Sequence, residues 1–223
     1  MKGLEDVRWL GHAGFSFTDK ETGNKVYYVD PFKLPNPNGL ERADLVFITH
    51  AHYDHLSPDD INLLLKPETT VVATPDSLKT LNITQEKFPV EQNNSYEIKG
   101  FKFDTVPAYN VKPERLKFHP KKNNWVGYIF RLNGLKIYHA GDTDFIPEMQ
   151  EFPKFELDFA MIPMGGTYTM DVDEAIEAAN AISAKVSIPM HYKSMLGDRS
   201  KEAEEKFKNG VTNSRVMILK ELS

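Results

Sequence analysis

The chain has no cysteine. That removes disulfides, thiolate zinc ligands and a cysteine nucleophile, and it leaves histidine and aspartate to carry any metal chemistry. It also fits a reducing compartment, and we expect a cytoplasmic protein. Long apolar runs are missing as well: nothing approaches the roughly 20 residues that span a bilayer. Met1-Lys2-Gly3-Leu4-Glu5-Asp6 opens the chain without an apolar stretch of signal-peptide length. The sequence therefore predicts no membrane partner and no export. An excess of positive charge is the third absence. With 27 Lys and Arg against 32 Asp and Glu, the net charge of -5 disfavours long nucleic acid as a partner. What remains is 223 residues with a 40% hydrophobic share, enough to bury a core, and residues 1–223 are expected to form a single domain.

The least ordinary stretch is His50-Ala51-His52-Tyr53-Asp54-His55, which follows the apolar run Leu45-Val46-Phe47-Ile48-Thr49. Imidazole nitrogen and carboxylate oxygen are donors that zinc, manganese(II) and iron(II) accept. In an extended turn His50 and His52 point the same way, so one ion can sit between them. Asp54 and His55 lie beyond the bend and could hold a second. The competing reading is a solvated polar turn whose histidines hydrogen-bond the backbone.

Along the chain, Val7 to Leu10 and Phe15 to Thr18 flank Gly11-His12-Ala13-Gly14, and Glu21-Thr22-Gly23-Asn24 leads into Lys25 to Asp30 as a hairpin. If Asp19 pairs with Lys25, antiparallel register sets Gly14 opposite Asp30 and brings His12 to the Asp30-Pro31-Phe32 corner. Pro35-Asn36-Pro37-Asn38-Gly39 is a loop. Ser57-Pro58-Asp59-Asp60 starts a helix through Leu65. Thr69 to Ala73 reads as a strand, Pro75 to Leu81 as a helix, and Tyr96–Ile98 with Phe101–Val106 as a hairpin. Residues 107–124 lack periodicity and carry Lys112, Arg115, Lys117, Lys121 and Lys122, which suggests capture of an anion. Trp125–Leu132 and Leu135–Tyr138 flank the hairpin signal Asn133-Gly134. Strands over Leu157–Ile162, Val186–Pro189 and Arg215–Leu219, with helices from Asp171 to Ile182 and Ser200 to Lys208, complete the chain.

Several of these strands end alike. Tyr27–Val29 runs into Asp30, Leu45–Thr49 into His50, Leu135–Tyr138 into His139-Ala140-Gly141-Asp142, and Val186–Pro189 into Met190-His191. A single aspartate after a strand is ordinary turn chemistry. Four such endings, one of them the histidine cluster, fit convergence on a single metal centre.

In this order the residues resemble the metallo-β-lactamase-fold superfamily of metal-dependent hydrolases: Asp30, then His50-x-His52-x-Asp54-His55, then Asp142 in a Gly-Asp-Thr segment, then His191. Gly11-His12-Ala13-Gly14-Phe15, Asp30-Pro31-Phe32 and Met164-Gly165-Gly166 look like the branch that includes the ascorbate-6-phosphate lactonase and the phospholipase D acting on N-acyl-phosphatidylethanolamine. The resemblance implies an α+β fold, a four-layer αββα sandwich with metals at one edge of the paired sheets. It implies His50 and His52 at a first metal site, Asp54, His55 and His191 at a second, Asp142 bridging them, and Asp30 behind the ligands, orienting one of them. It also implies a hydrolase of a small anionic ester, lactone or phosphodiester, using water activated by Zn or Mn, with Fe as a third choice, and with Asp54 and His12 as catalytic groups.

One departure stands out. Where the family commonly places another ligand histidine, this chain reads Pro107-Ala108-Tyr109-Asn110. Either Asn110 offers a carbonyl oxygen, His119 comes in from the loop, or the first site is weak or empty. On the sequence we favour one tightly held ion at Asp54, His55, Asp142 and His191, out of one or two. A non-catalytic or redox metal-binding protein on the same fold is the alternative, and the oligomeric state is open.

Overall fold

The structure is a computed structural model describing residues 6–23, 25–36 and 39–222. The expected turn residue Asn24, the Pro37-Asn38 part of the loop and residues 1–5 lie outside them. Two sheets organise the rest, each with its strands in chain order. The first holds β1 (Val7–Gly11), β2 (Gly14–Asp19), β3 (Lys25–Val29), β4 (Leu45–Phe47), β5 (Thr70–Ala73) and β6 (Glu86–Pro89), antiparallel up to β3 and parallel beyond it. The second holds β7 (Ser95–Ile98), β8 (Phe101–Pro107), β9 (Val126–Leu132), β10 (Leu135–His139), β11 (Phe159–Pro163), β12 (Val186–Met190) and β13 (Arg215–Val216), antiparallel up to β10 and parallel beyond. The helices are α1 (Pro58–Leu64), α2 (Pro75–Thr80), α3 (Val172–Ile182), α4 (Lys193–Leu196) and α5 (Ser200–Gly210).

Strand alternation explains the layering. Tyr27, Val29, Leu45, Phe47 and Val72 face the core shared with the second sheet, while their neighbours Val26, Tyr28, Val46, Ile48 and Val71 face α1 and α2 through Ile61, Leu64 and Leu78. On the far side α3 and α5 close the second sheet with Ala175, Ala178, Ala179, Ile182 and Phe207. The result is the expected αββα sandwich. Between the sheets Phe47 packs against Phe103, Tyr128 and Phe130 with ring centres 4.9–5.3 Å apart. Such pairs contribute about 1 kcal/mol each beyond their buried area. Phe47 sits three residues before His50, so this packing anchors the strand that delivers the histidine cluster.

The hairpin register is the expected one: Asp19 pairs with Lys25 and Phe15 with Val29. Ser57 caps α1, and Asp171 with Glu174 forms a complete capping box on α3. Three features were not legible. β6 is a polar edge strand whose Glu86 and Lys87 mask any apolar pattern, as edge strands tend to do. Residues 147–155 form 3-10 turns, and α4 is only four residues long. The last strand is also shorter than expected, pairing only through Arg215 and Val216. Among the described residues no helix is long and apolar enough to cross a membrane.

Candidate metal centre

Strand ends and loops deliver the polar residues to one edge of the sandwich. His12 comes from the β1–β2 turn, Asp30 follows β3, His50 to His55 follow β4, Asp142 follows β10, His191 follows β12, and His119 lies in the loop between β8 and β9. The two sheets are stitched together at this edge. The backbone N–H of His191 donates to the carbonyl of His12 at 2.9 Å, and the ring of His139 donates to the carbonyl of Ala13 at 2.8 Å. His12, Asp30 and His191 all hold left-handed backbone, at φ of 51°, 44° and 56°. Residues with a Cβ adopt that region at a cost of about 1 kcal/mol or more, and such strain gathers at functional sites. At Gly141, with φ of 63°, a Cβ would sit 3.0 Å from that of Thr49, so only glycine lets Asp142 approach the histidine cluster this closely.

Asp30 is fully buried and acts as an orienting carboxylate. Its Oδ1 accepts from the Thr49 N–H at 2.8 Å, and its Oδ2 accepts from the Thr49 hydroxyl at 2.7 Å and lies 2.7 Å from His55 Nδ1. The Thr49 hydroxyl donates its only proton to Asp30, so it must accept from His50 Nδ1, 2.9 Å away. Both imidazoles thereby carry their proton on Nδ1 and turn Nε2 inward. His119 is held the same way: its Nδ1 donates to Asn110 Oδ1, and Asn110 in turn donates to Asp144 Oδ1 at 2.8 Å and to the carbonyl of Tyr168 at 3.0 Å.

The inward atoms form two groups that share a wall. His50, His52 and His119 bring ligand nitrogens within 4.8 Å of one another, with His50 Nε2 3.1 Å from His52 Nδ1. Asp54, His55 and His191, with His12, form the other. Asp142 stands between them: Oδ1 lies 3.3 Å from His55 Nε2, and Oδ2 lies 3.3 Å from both His119 Nε2 and His191 Nε2. Asp54 Oδ2 lies 3.0 Å from His12 Nε2 and 3.7 Å from His191 Nε2. Zinc–nitrogen bonds of about 2.05 Å place tetrahedral ligands about 3.3 Å apart, which is the spacing seen here. The buried atoms His55 Nε2, His119 Nε2, His191 Nε2 and Asp142 Oδ1 have no hydrogen-bond partner among the described residues. A buried polar atom left so costs about 1–3 kcal/mol, and four of them converging is what a site for cations requires. The residues fit the group that their chemistry implies.

The electrostatics divide the same way. Burial, helped by the other imidazoles, pushes His50 well below its ordinary value and His52 down to about 4, so these rings are neutral and able to ligate. Burial also opposes charge on His55 and His191, but Asp142 outweighs it in both, with Asp30 assisting at His55 and Asp54 at His191. His55 is held well above the usual range and His191 is raised to about 9. Burial would push the carboxyl of Asp54 up, yet the hydrogen bond from His12 and the nearby imidazole of His191 hold it well below the carboxylate range. Asp142 is likewise held down, by His191 and His55 against its burial. The field that retains protons on His55 and His191 is one that attracts a metal cation, and ligation would replace those protons.

All the residues singled out from the sequence (His12, Asp30, His50, His52, Asp54, His55, Asp142 and His191) are thus brought to one place. Of the three options for the missing nitrogen, the structure puts His119 beside His50 and His52, with Asn110 orienting it. The letters leave His119 as one option among three, because the contact depends on how residues 110–119 fold back. The loop's cations differ from expectation. Arg115 is buried and bonded to Glu174 and Asp144, Lys112 pairs with Glu174, and Lys121 pairs with Glu148, so these three are engaged within the protein.

Comparison with known proteins agrees with this fold. Residues 6–191 match the family model described as Beta-lactamase superfamily domain. A UPF0173 metal-dependent hydrolase of Methanoculleus marisnigri is 32% identical over 220 residues, covering 96% of this chain and 92% of that protein. One of Thermococcus onnurineus is 33% identical over 195 residues, covering 83% and 84%. A solved structure from Parabacteroides distasonis superposes with a TM-score of 0.82 at 32% identity, covering 97% of this chain and 93% of that one. Fold, edge of convergence and sequence together say that the chain belongs to the metallo-β-lactamase superfamily, alongside the UPF0173 metal-dependent hydrolases.

Proposed function

We propose that the protein is a hydrolase of a small anionic ester, lactone or phosphodiester, with two adjacent divalent cations, zinc or manganese first and iron after them. One would be held by His50, His52 and His119, the other by Asp54, His55 and His191, with Asp142 shared. The observation that carries this reading is the convergence of three buried, unpartnered imidazole nitrogens on one carboxylate. The sequence favoured a single ion because the first site lacked a third nitrogen; His119 removes that reason. When bound, such cations act as Lewis acids and bring the acidity of water near neutrality.

The chain's own residues do the rest. Asp54, partly open to solvent, would hold the attacking water and take its proton provided ligation does not engage both of its oxygens, and His12 holds its carboxylate in place through Nε2 while Nδ1 lies 3.3 Å from the Ser194 hydroxyl. His12 also stands where it can orient the substrate. The preference for an anion rests on charge: two divalent cations outweigh the carboxylates of Asp54 and Asp142. Similarity to the lactonase branch adds the lactone to the list of candidates. Asp54→Ala and His191→Ala are each expected to lower turnover at least about a thousandfold while circular dichroism stays that of the wild type; substantial activity in both variants would move the chemistry elsewhere. Turnover lost with a chelator and regained with added metal separates this reading from a metal that only staples the fold.

A further inference from the structure

A cleft of about 440 Å³ opens beside the metal centre and reaches it through His12 and Asp54. Its walls differ in character from the centre. Phe32, Tyr53 and Tyr168 supply aromatic surface, and Pro35 and Met195 extend it. Tyr53 is 76% exposed and Tyr168 40%, although burial of such rings is normally favourable. The aromatic surface is continuous with the site: Tyr53 meets Phe32 edge-on with ring centres 5.8 Å apart, and Phe32 lies 5.6 Å from the ring of His12. Tyr168 is fixed in place, its ring edge-on to Phe118 at 4.7 Å and its carbonyl bonded to Asn110. A wall held in this way needs little ordering when a ligand arrives.

Charge along the cleft is sparse and mixed. Lys33 is the lining cation, against the carboxylates of Glu221 and Asp54. A ligand with several negative charges would bring some of them against those carboxylates, whereas one whose charge is confined to the end facing the cations would not. Resting on the hydrolase reading above, we infer that the substrate carries a single negative charge at or beside its reacting group and a flat apolar substituent, of aryl type, that lies against Phe32, Tyr53 and Tyr168. The cleft has the size of a small-ligand pocket and can take one ring with a short linker.

Two metal-binding probes that differ only in this substituent test the inference: acetohydroxamate and benzohydroxamate, titrated calorimetrically into the full chain reconstituted with zinc. Benzohydroxamate is expected to bind about tenfold more tightly, the gain from placing one ring on aromatic surface. In Tyr53→Ala and in Phe32→Ala the gap should shrink to about threefold or less, and Tyr53→Phe should restore it. Equal affinities in the wild type, or a gap that survives intact in both alanine variants, overturns the aryl assignment and leaves the metal centre standing. Failure of both probes to bind overturns the metal-dependent reading, and the inference with it.

Discussion

At the scale of single residues, the centre is built by side chains that fix which imidazole nitrogen faces inward. Asp30 does so for His55 directly and for His50 through Thr49, and Asn110 does so for His119. Removing such a partner typically lowers metal affinity 10- to 100-fold. Asn110→Ala is therefore expected to weaken one of the two cations by about that factor. The measurement is competition with a chelator of known affinity; unchanged affinity would mean that His119 needs no orienting partner. The candidate ligands read from the sequence were legible because they follow strands whose apolar pattern is plain, as Leu45 to Thr49 precedes the cluster from His50 to His55. His119 and Asn110 appeared only as competing options: they lie nine positions apart in a segment without periodicity, and only its folded path makes them neighbours.

At the scale of elements, the segment between β8 and β9 is an arm that brings His119 to His50 and His52. Asp144 Oδ2 accepts from the backbone of Val111 and Lys112 at 2.8 and 3.0 Å, and Arg115 joins Asp144 to Glu174 at the start of α3. Read as letters, this stretch suggests a basic loop poised to capture an anion. Arg115 is nevertheless 4% exposed, because three acceptors (Asp144, Thr169 and Glu174) surround its guanidinium. Burial pushes the carboxyl of Glu174 up, but hydrogen bonds from Arg115 and Lys112 win and hold it below its ordinary 4.5. A carboxylate depressed in this way contributes stability above its unfolded value, and the contribution is lost as the pH falls through the folded one. Glu174→Gln is expected to cost about 2 kcal/mol at pH 7, less than a fully buried pair because Glu174 keeps some contact with solvent. The difference from wild type should shrink as the pH falls below about 4.5. Urea unfolding at pH 7, 5 and 3.5 checks this; a difference that stays constant with pH would remove the ionic clamp from the explanation.

At the scale of the whole molecule, two sheets in simple chain order bring their strand ends to one edge, where His139 and His191 tie the second sheet to the β1–β2 turn of the first. The sandwich was readable because many of its strands, such as Leu45–Phe47, Thr70–Ala73 and Phe159–Pro163, are short unbroken runs buried on both faces, and turns carry strong signals such as Asn133-Gly134. The edge strand β6 was not, since its side chains serve the surface, nor were the 3-10 turns at 147–155, where only Met149 and Phe152 are buried and Pro153 interrupts any helical period. The central claim is that this edge grips two cations, one of them through His119. The most direct test is the metal content of the full chain after reconstitution and removal of free metal, in the wild type and in His119→Ala. The account predicts two divalent ions per chain in the wild type and one in the variant. A wild type that holds one ion or none, or a His119→Ala protein that keeps both, would contradict it.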